Sequence, residues 1–381
     1  MVGGVDGITQ AALGAAMGEW MLGKRLGRRA WAWGALCGLL PELEILLFPF
    51  LSRAHELVLL DGLGHSLILM PLLSWWLARG LARLWRPEKI SRVEAWRFLL
   101  VVWTVHLLAD CLGARGVALG WPFSLHRVAF GVLPPVDFLF SGPLVVAVGW
   151  IAFLADAPVK KSRAKKPAPL PQRSKILRWG LALSGGYLLL AVGLKNLAAS
   201  GFEADLARRG VRFSRCIHSP TPFNILLWRA VVEDGHQFRV GYRSVFEARD
   251  TPVRWTLYAK NPQALEKVAD LRETKILNAV TNGWWIARSN VKGAWLGDLR
   301  LCETRIWGAK KDAVDSRLAQ SWLIDQEKSG DRLREIQPGK SSPGGLRRTL
   351  SRIGGERAVW EANPRLAGAV GNLPEFLPVD E

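Results

Sequence analysis

The pattern of apolar and polar positions divides the chain in two. In the first half, apolar stretches run at about residues 8–22, 30–51, 57–78, 97–113, 132–155 and 177–197, mostly near the roughly 20 residues a bilayer crossing needs. From about residue 200 the pattern shortens to strand-like runs, such as Phe238 to Phe246 and Val253 to Ala259, with a helical period near Gln263 to Val280. This predicts a mainly α fold: a six-span transmembrane helical bundle over residues 1–199 and a small α+β extramembrane domain over 200–328. Residues 329–381 are rich in Gly, Pro, Ser and Arg and read as a poorly ordered tail.

Charge sharpens this picture. The 381 residues include 51 Lys+Arg and 33 Asp+Glu, a net charge of +18, yet 49% of them are hydrophobic. That combination excludes a disordered basic tail. The basic residues punctuate apolar runs instead of forming one face of a polar domain, so no nucleic-acid partner is expected. Of the 22 basic residues before position 200, 18 lie in three alternate loops, at 24–29, 79–97 and 160–178. The positive-inside rule makes those loops cytoplasmic, and places the N-terminus and the C-terminal domain outside. Met1 to Gly7 has no basic residue and contains Asp6, so the first span is expected to be retained, not cleaved as a signal peptide. The basic, Pro-rich stretch 160–175 reads as a loop attracted to anionic lipid. Gly14 with Gly18, and Gly34 with Gly38, have the spacing of close helix contacts, read as ordinary small-residue packing in preference to a dimer face. Cys37 and Cys111 lie in apolar spans; Cys216 and Cys302 lie in the C-terminal domain, where an oxidising compartment would permit a disulfide.

The informative residues are ionisable groups inside apolar runs: Glu42 and Glu44 after Pro41, His65, His106, Asp110 and Asp137. Such groups are costly at membrane depth and usually face a partner or a cavity. His106 and Asp110 are four apart and share one helix face. Imidazole with carboxylate is the ligand set of zinc or a similar divalent ion, and an open coordination position would activate water for hydrolysis. The plainer reading is that these groups pair with one another and hold helices together. His55 and His126 sit in loops as further ligands or solvent-exposed spectators.

Several elements carry a family resemblance. DGITQAALGAAMGE at Asp6 to Glu19, GLLPELE at Gly38 to Glu44, GLGHSL at Gly62 to Leu67, HLLAD at His106 to Asp110, and WPFS at Trp121 to Ser124 followed by Asp137, resemble in order the motifs of bacterial membrane-bound metal-dependent hydrolases. PTPFNILLWR at Pro220 to Arg229 and DLRL at Asp298 to Leu301 resemble the outer domain of the family's longer members. The resemblance implies an α-helical inner-membrane protein with a divalent metal ion, zinc first, and remote kinship to zinc-dependent phospholipases. His65, His106, Asp110 and Asp137 keep the family's residue types and are the expected metal ligands, with Glu42 and Glu44 as catalytic groups. Gln10 stands where the family has His, glutamates replace aspartates at 42 and 44, and Leu60 with Asp61 replaces His-Arg. Gln10, Arg127 and His126 are additional candidates, Arg127 either as a positive charge for the site or as a headgroup-level anchor.

The expectation is thus a membrane-embedded metal-dependent hydrolase in the bacterial inner membrane, acting on a phosphoester or lipid-linked substrate with membrane lipid as its surroundings. The alternatives are a non-catalytic, degenerate relative that serves as a membrane binding or scaffold protein, supported by Gln10, Leu60 and Asp61, and, less well supported, a transporter.

Overall fold

A computed structural model describes residues 6–154, 171–235, 237–302, 318–336 and 345–356. The chain forms two compact units, one of residues 1–51 and 58–191, the other of residues 52–57 and 192–381.

The first unit begins with α1 (Gly7–Leu26), whose N-cap Asp6 accepts hydrogen bonds from the Ile8 and Thr9 amides. It turns at Gly27 into α2 (Arg29–Leu39), which continues as a 3₁₀ segment, Leu40–Phe50, started by Pro41. The Gly-x-x-x-Gly pairs face each other within the chain: a Cβ on Gly34 would lie 2.2 Å from the Gly14 carbonyl oxygen, and one on Gly14 would lie 2.4 Å from that of Gly34. Only glycine permits this approach. Next come α4 (Met70–Leu84), after the short α3 (Arg53–Leu59) in which the unit boundary falls, then α5 (Arg92–Cys111) and α6 (Phe138–Phe153).

The expected six-span bundle is overturned. Among the described residues two helices are long and apolar enough to cross a membrane, Arg29–Phe50 and Gln172–Arg208. The other four stretches fail for separate reasons. α1 is rich in glycine and alanine and carries Glu19, Lys24 and Arg25. The run 57–78 is broken between α3 and α4 by a turn in which Asp61 has φ of 56° and Gly62 and Gly64 follow. α5 contains Arg92, Glu94, Arg97 and Asp110, and α6 has only 16 residues. With the spans goes the threefold alternation of loops from which a membrane orientation was read. The basic stretch 160–175 lies mostly outside the described residues, but Arg173 is described and is no loop charge. It lies in the long α7 (Pro171–Arg208), buried in a bidentate ion pair with Glu19 of α1: Nε to Oε1 3.0 Å and Nη2 to Oε2 2.6 Å.

The second unit holds two antiparallel four-stranded meanders. One is ordered β1 (Arg215–Pro220), β2 (Leu227–Asp234), β3 (Gln237–Ser244), β4 (Thr256–Ala259). The other is β5 (Trp285–Asn290), β6 (Gly293–Asp298), β7 (Ser321–Asp325), β8 (Leu333–Ile336). A 3₁₀ segment, Pro262–Val268, and α8 (Arg272–Val280) connect them. The core takes Leu227, Val231, Phe238, Val240 and Tyr258 from the first sheet, Trp284 and Ile286 from the start of the second, and Ile353 from α9 (Gly345–Ile353). β8 and α9 therefore fall in the stretch expected to be a poorly ordered tail. The two motifs read from the sequence meet here: Arg229, fully buried, donates from Nη1 to the Leu299 carbonyl at 2.6 Å, and Arg300 pairs with Asp298. All four cysteines are free, so Cys216 and Cys302 form no disulfide.

Candidate metal centre

The centre lies in the first unit and is assembled from three segments. His106 and Asp110 come from one face of α5, Glu42 from the 3₁₀ segment after Pro41, and His65 from the turn between α3 and α4. Nε2 of His65 lies 3.0 Å from Nε2 of His106 and 3.3 Å from Oδ2 of Asp110. Nε2 of His106 lies 3.1 Å from that same oxygen and 3.8 Å from Oε1 of Glu42. Ligand atoms about 2.0–2.1 Å from a tetrahedral ion stand roughly 3.3 Å apart, so the 3.0–3.3 Å separations fit a shared ion, as they also fit direct hydrogen bonds among these groups. The His65, His106 and Asp110 side chains are 1% exposed and that of Glu42 is 37% exposed, so the centre is open at Glu42.

The surroundings orient the donors. The Gly38 carbonyl lies 2.8 Å from Nδ1 of His106 and accepts its proton, which leaves Nε2 as the lone-pair nitrogen of the neutral ring. That carbonyl is brought close by the glycine contact of α1 with α2. The Gln10 amide donates to Oδ1 of Asp110 at 2.7 Å and to the His106 carbonyl at 3.3 Å, turning the other Asp110 oxygen toward the imidazoles. Gln10 thus supports the centre from behind.

Glu44 sits one layer behind His65. Its Oε1 accepts from the Asp61 amide at 2.6 Å and its Oε2 from the Gly64 amide at 2.8 Å, which ties down the turn that presents His65. Oε1 also lies 3.4 Å from Nδ1 of His65, and Glu44, Asp61 and His65 form a second close group. A Cβ at Gly64 would lie 2.2 Å from the Pro41 carbonyl oxygen, so the turn packs directly on the segment carrying Glu42. Asp61 is committed to Arg127, Oδ2 to Nη1 at 2.5 Å, and Arg127 also donates to the Leu60 carbonyl at 2.7 Å. Arg127 is buried by this pairing and is no exposed headgroup anchor.

Two sequence candidates stand elsewhere. Asp137 caps α6, its Oδ1 accepting from the Leu139 and Phe140 amides and its Oδ2 from the Tyr187 hydroxyl at 2.8 Å. His126 is exposed on its loop, and its amide donates to Ser124 Oγ. Three features were missed in the sequence: the Gly38 carbonyl, the Glu19 to Arg173 pair, and Asp61 as a buried acid. Asp61 and Glu19 had a usable signal, since each is a carboxylate inside an apolar run. A backbone carbonyl has none.

The second unit holds another polar pair, Cys216 and His218, alternate residues of β1 with Sγ to Nε2 3.3 Å. Burial, then Glu203, pushes the thiol up to about 12 against the opposing pull of Lys195. Burial, with Lys195, brings the imidazole down to about 4. Both are neutral at ordinary pH, unlike the thiolate of a reactive cysteine.

Comparison with curated proteins and with solved structures gives no match. Residues 5–198, just over half of the chain, match the model of the YdjM inner membrane protein family, and the chain belongs to that family of inner membrane proteins.

Proposed function

We propose that this protein is a metal-dependent hydrolase of the inner membrane, with a single zinc ion held by His65, His106 and Asp110 and with Glu42 at its open side. The observation that carries this reading is the convergence of four donor atoms, from positions 42, 65, 106 and 110, all within 4.8 Å of one another, with the two imidazoles and Asp110 at 3.0–3.3 Å. Two imidazoles with carboxylates suit zinc, and a divalent ion there would supply Lewis-acid polarisation and activation of water near neutral pH. His65, His106 and Asp110 are buried and pre-oriented, so they hold. Glu42, at the open side, would be the general base of that hydrolysis. Glu44 keeps the His65 turn in register, and Gln10 keeps Asp110 in register. A phosphoester, carried by a lipid, is the substrate class to test first, since the centre opens beside the apolar helix Arg29–Phe50.

The test is metal analysis of the purified full chain with hydrolysis of bis-p-nitrophenyl phosphate. About one zinc per chain is expected, lost in His106→Ala and Asp110→Asn, with activity falling in parallel. Wild-type protein without stoichiometric divalent metal, or full metal content in both variants, overturns the proposal. A second reading, a non-catalytic membrane scaffold, is favoured by one observation: Gln10 closes the back of the centre with hydrogen bonds where the resembled family has an imidazole. It predicts a metal-bound protein without hydrolysis, whose His65→Ala variant loses stability alone.

A further inference from the structure

A groove of about 510 Å³ opens on the first unit where α1 turns into α2, lined by Arg28, Arg29, Trp31, Ala32, Trp33 and Leu36, with Ala152 of α6 at its edge. We propose that it binds one anionic phospholipid, headgroup toward the two arginines and the first part of an acyl chain along Trp31 and Leu36.

Three observations carry this. The groove lies at the beginning of the apolar helix Arg29–Phe50, and the end of a spanning helix sits at headgroup depth. Its polar and apolar parts are ordered along that helix as a lipid is ordered. The arginines come first, and Leu36, 53% exposed, follows roughly 10 Å deeper by the helical rise of 1.5 Å per residue. Its charge is complementary to a phosphate: Lys24, Arg25, Arg28 and Arg29 fall within six residues, all exposed.

The acidic groups near this cluster do not quench it. Glu94 pairs with Arg25 at 2.9 Å, while Glu88 approaches Arg29 only to 3.6 Å, with the Arg29 side chain 76% exposed. Such a pair contributes little. Arg28 is anchored, Nη2 donating to the Ala152 carbonyl at 3.0 Å, so its guanidinium is held at the groove rim. One wall is firm because Trp33 packs edge-to-face on the buried Trp85, centroids 5.5 Å apart. Indole and guanidinium together at an interface suit a phosphate-bearing amphiphile. A free phosphate would leave the apolar wall uncovered.

The experiment is native mass spectrometry of the full-length, delipidated protein in detergent, offered dioleoylphosphatidylglycerol, dioleoylphosphatidylcholine or inorganic phosphate. The expected result is one phosphatidylglycerol retained at least tenfold better than phosphatidylcholine, with phosphate neither retained nor competing. Arg28→Gln with Arg29→Gln should lower that retention roughly tenfold, while Arg28→Lys with Arg29→Lys keeps most of it. Ala32→Trp fills the exposed wall without touching a charge and should lower retention as well. Arg79→Gln with Arg83→Gln, exposed basic residues of α4 outside the groove, should change nothing. Equal retention of the two lipids overturns the proposal. So does equal loss in the α4 control, which would mean diffuse surface charge, or displacement of lipid by phosphate. Circular dichroism of each variant separates lost binding from lost folding.

Discussion

Gly34→Ala tests how α1 and α2 position the metal centre. The new Cβ would stand 2.2 Å from the Gly14 carbonyl oxygen and 2.8 Å from the Gly18 Cα, both backbone atoms that no rotamer change can move. Ordinary contact needs about 3.4 Å or more, so the helices must part by roughly 1 Å. Overpacking of this kind costs about 1–3 kcal/mol, a fall of roughly 2–10 °C in Tm for a unit of this size. The separation also shifts Gly38, whose carbonyl holds His106 at 2.8 Å. Loss of such an orienting bond weakens a metal site by roughly 10- to 100-fold. Thermal unfolding in lipid nanodiscs measures the first effect, and zinc competition with a chelator measures the second. Gly142→Ala in α6 is the control: its Cβ meets nothing within 4 Å, so it should be neutral or stabilising by up to about 1 kcal/mol. A Gly34→Ala protein within about 0.5 kcal/mol of wild type, or a Gly142→Ala protein equally destabilised, refutes the packing argument.

Other perturbations have equally definite outcomes. Glu19→Gln leaves Arg173 buried without its counter-charge and should cost about 3–5 kcal/mol, whereas Glu19→Met with Arg173→Met should recover most of the loss in a double-mutant cycle. Arg127→Met strands Asp61 in the same way, and faster amide exchange at residues 60–66 should accompany the lower Tm, because Asp61 anchors the His65 turn. His218 is held at about 4 by burial and by Lys195, below its ordinary 6.5. Between these values the unfolded chain binds the extra proton, so the stability of the second unit is full above pH 6.5 and is lost as the pH falls toward 4. The loss is about 3 kcal/mol at most, and His218→Asn should flatten the profile; an unchanged profile counts against the assignment.

The candidate centre was legible because charge inside an apolar run is conspicuous. Glu42, His65, His106 and Asp110 were each visible that way, and the four-residue spacing of the last two fixed their common face. Which carboxylate faces the centre was not legible. Glu42 and Glu44 are two apart, and only the 3₁₀ geometry after Pro41 turns one to His106 and the other to the amides of Asp61 and Gly64. Asp137 is placed apart from these four by its partners, the Leu139 and Phe140 amides and the hydroxyl of Tyr187 50 positions away, and the pairing with Tyr187 leaves no mark in the local sequence. The six-span expectation fails in 57–78 because Asp61, Gly62, Gly64 and Pro71 break the run, which length and hydropathy alone do not register. Arg173 was counted as a loop charge because nothing local reveals an acid 154 residues earlier.

The placement of Ile353 in the core of the second unit has a consequence for how that unit is made. Each strand of the meanders pairs with its neighbour in sequence, so both sheets form through local contacts with little loop-closure cost. Among the described residues α9 is the last element to join the core between them, its Ile353 carbonyl accepting from Ser244 Oγ at 2.7 Å across 109 residues. During synthesis at roughly 5–20 residues per second, the first sheet therefore waits several seconds with part of its apolar face uncovered. That interval, more than any property of the finished fold, is when this unit is exposed to misassembly.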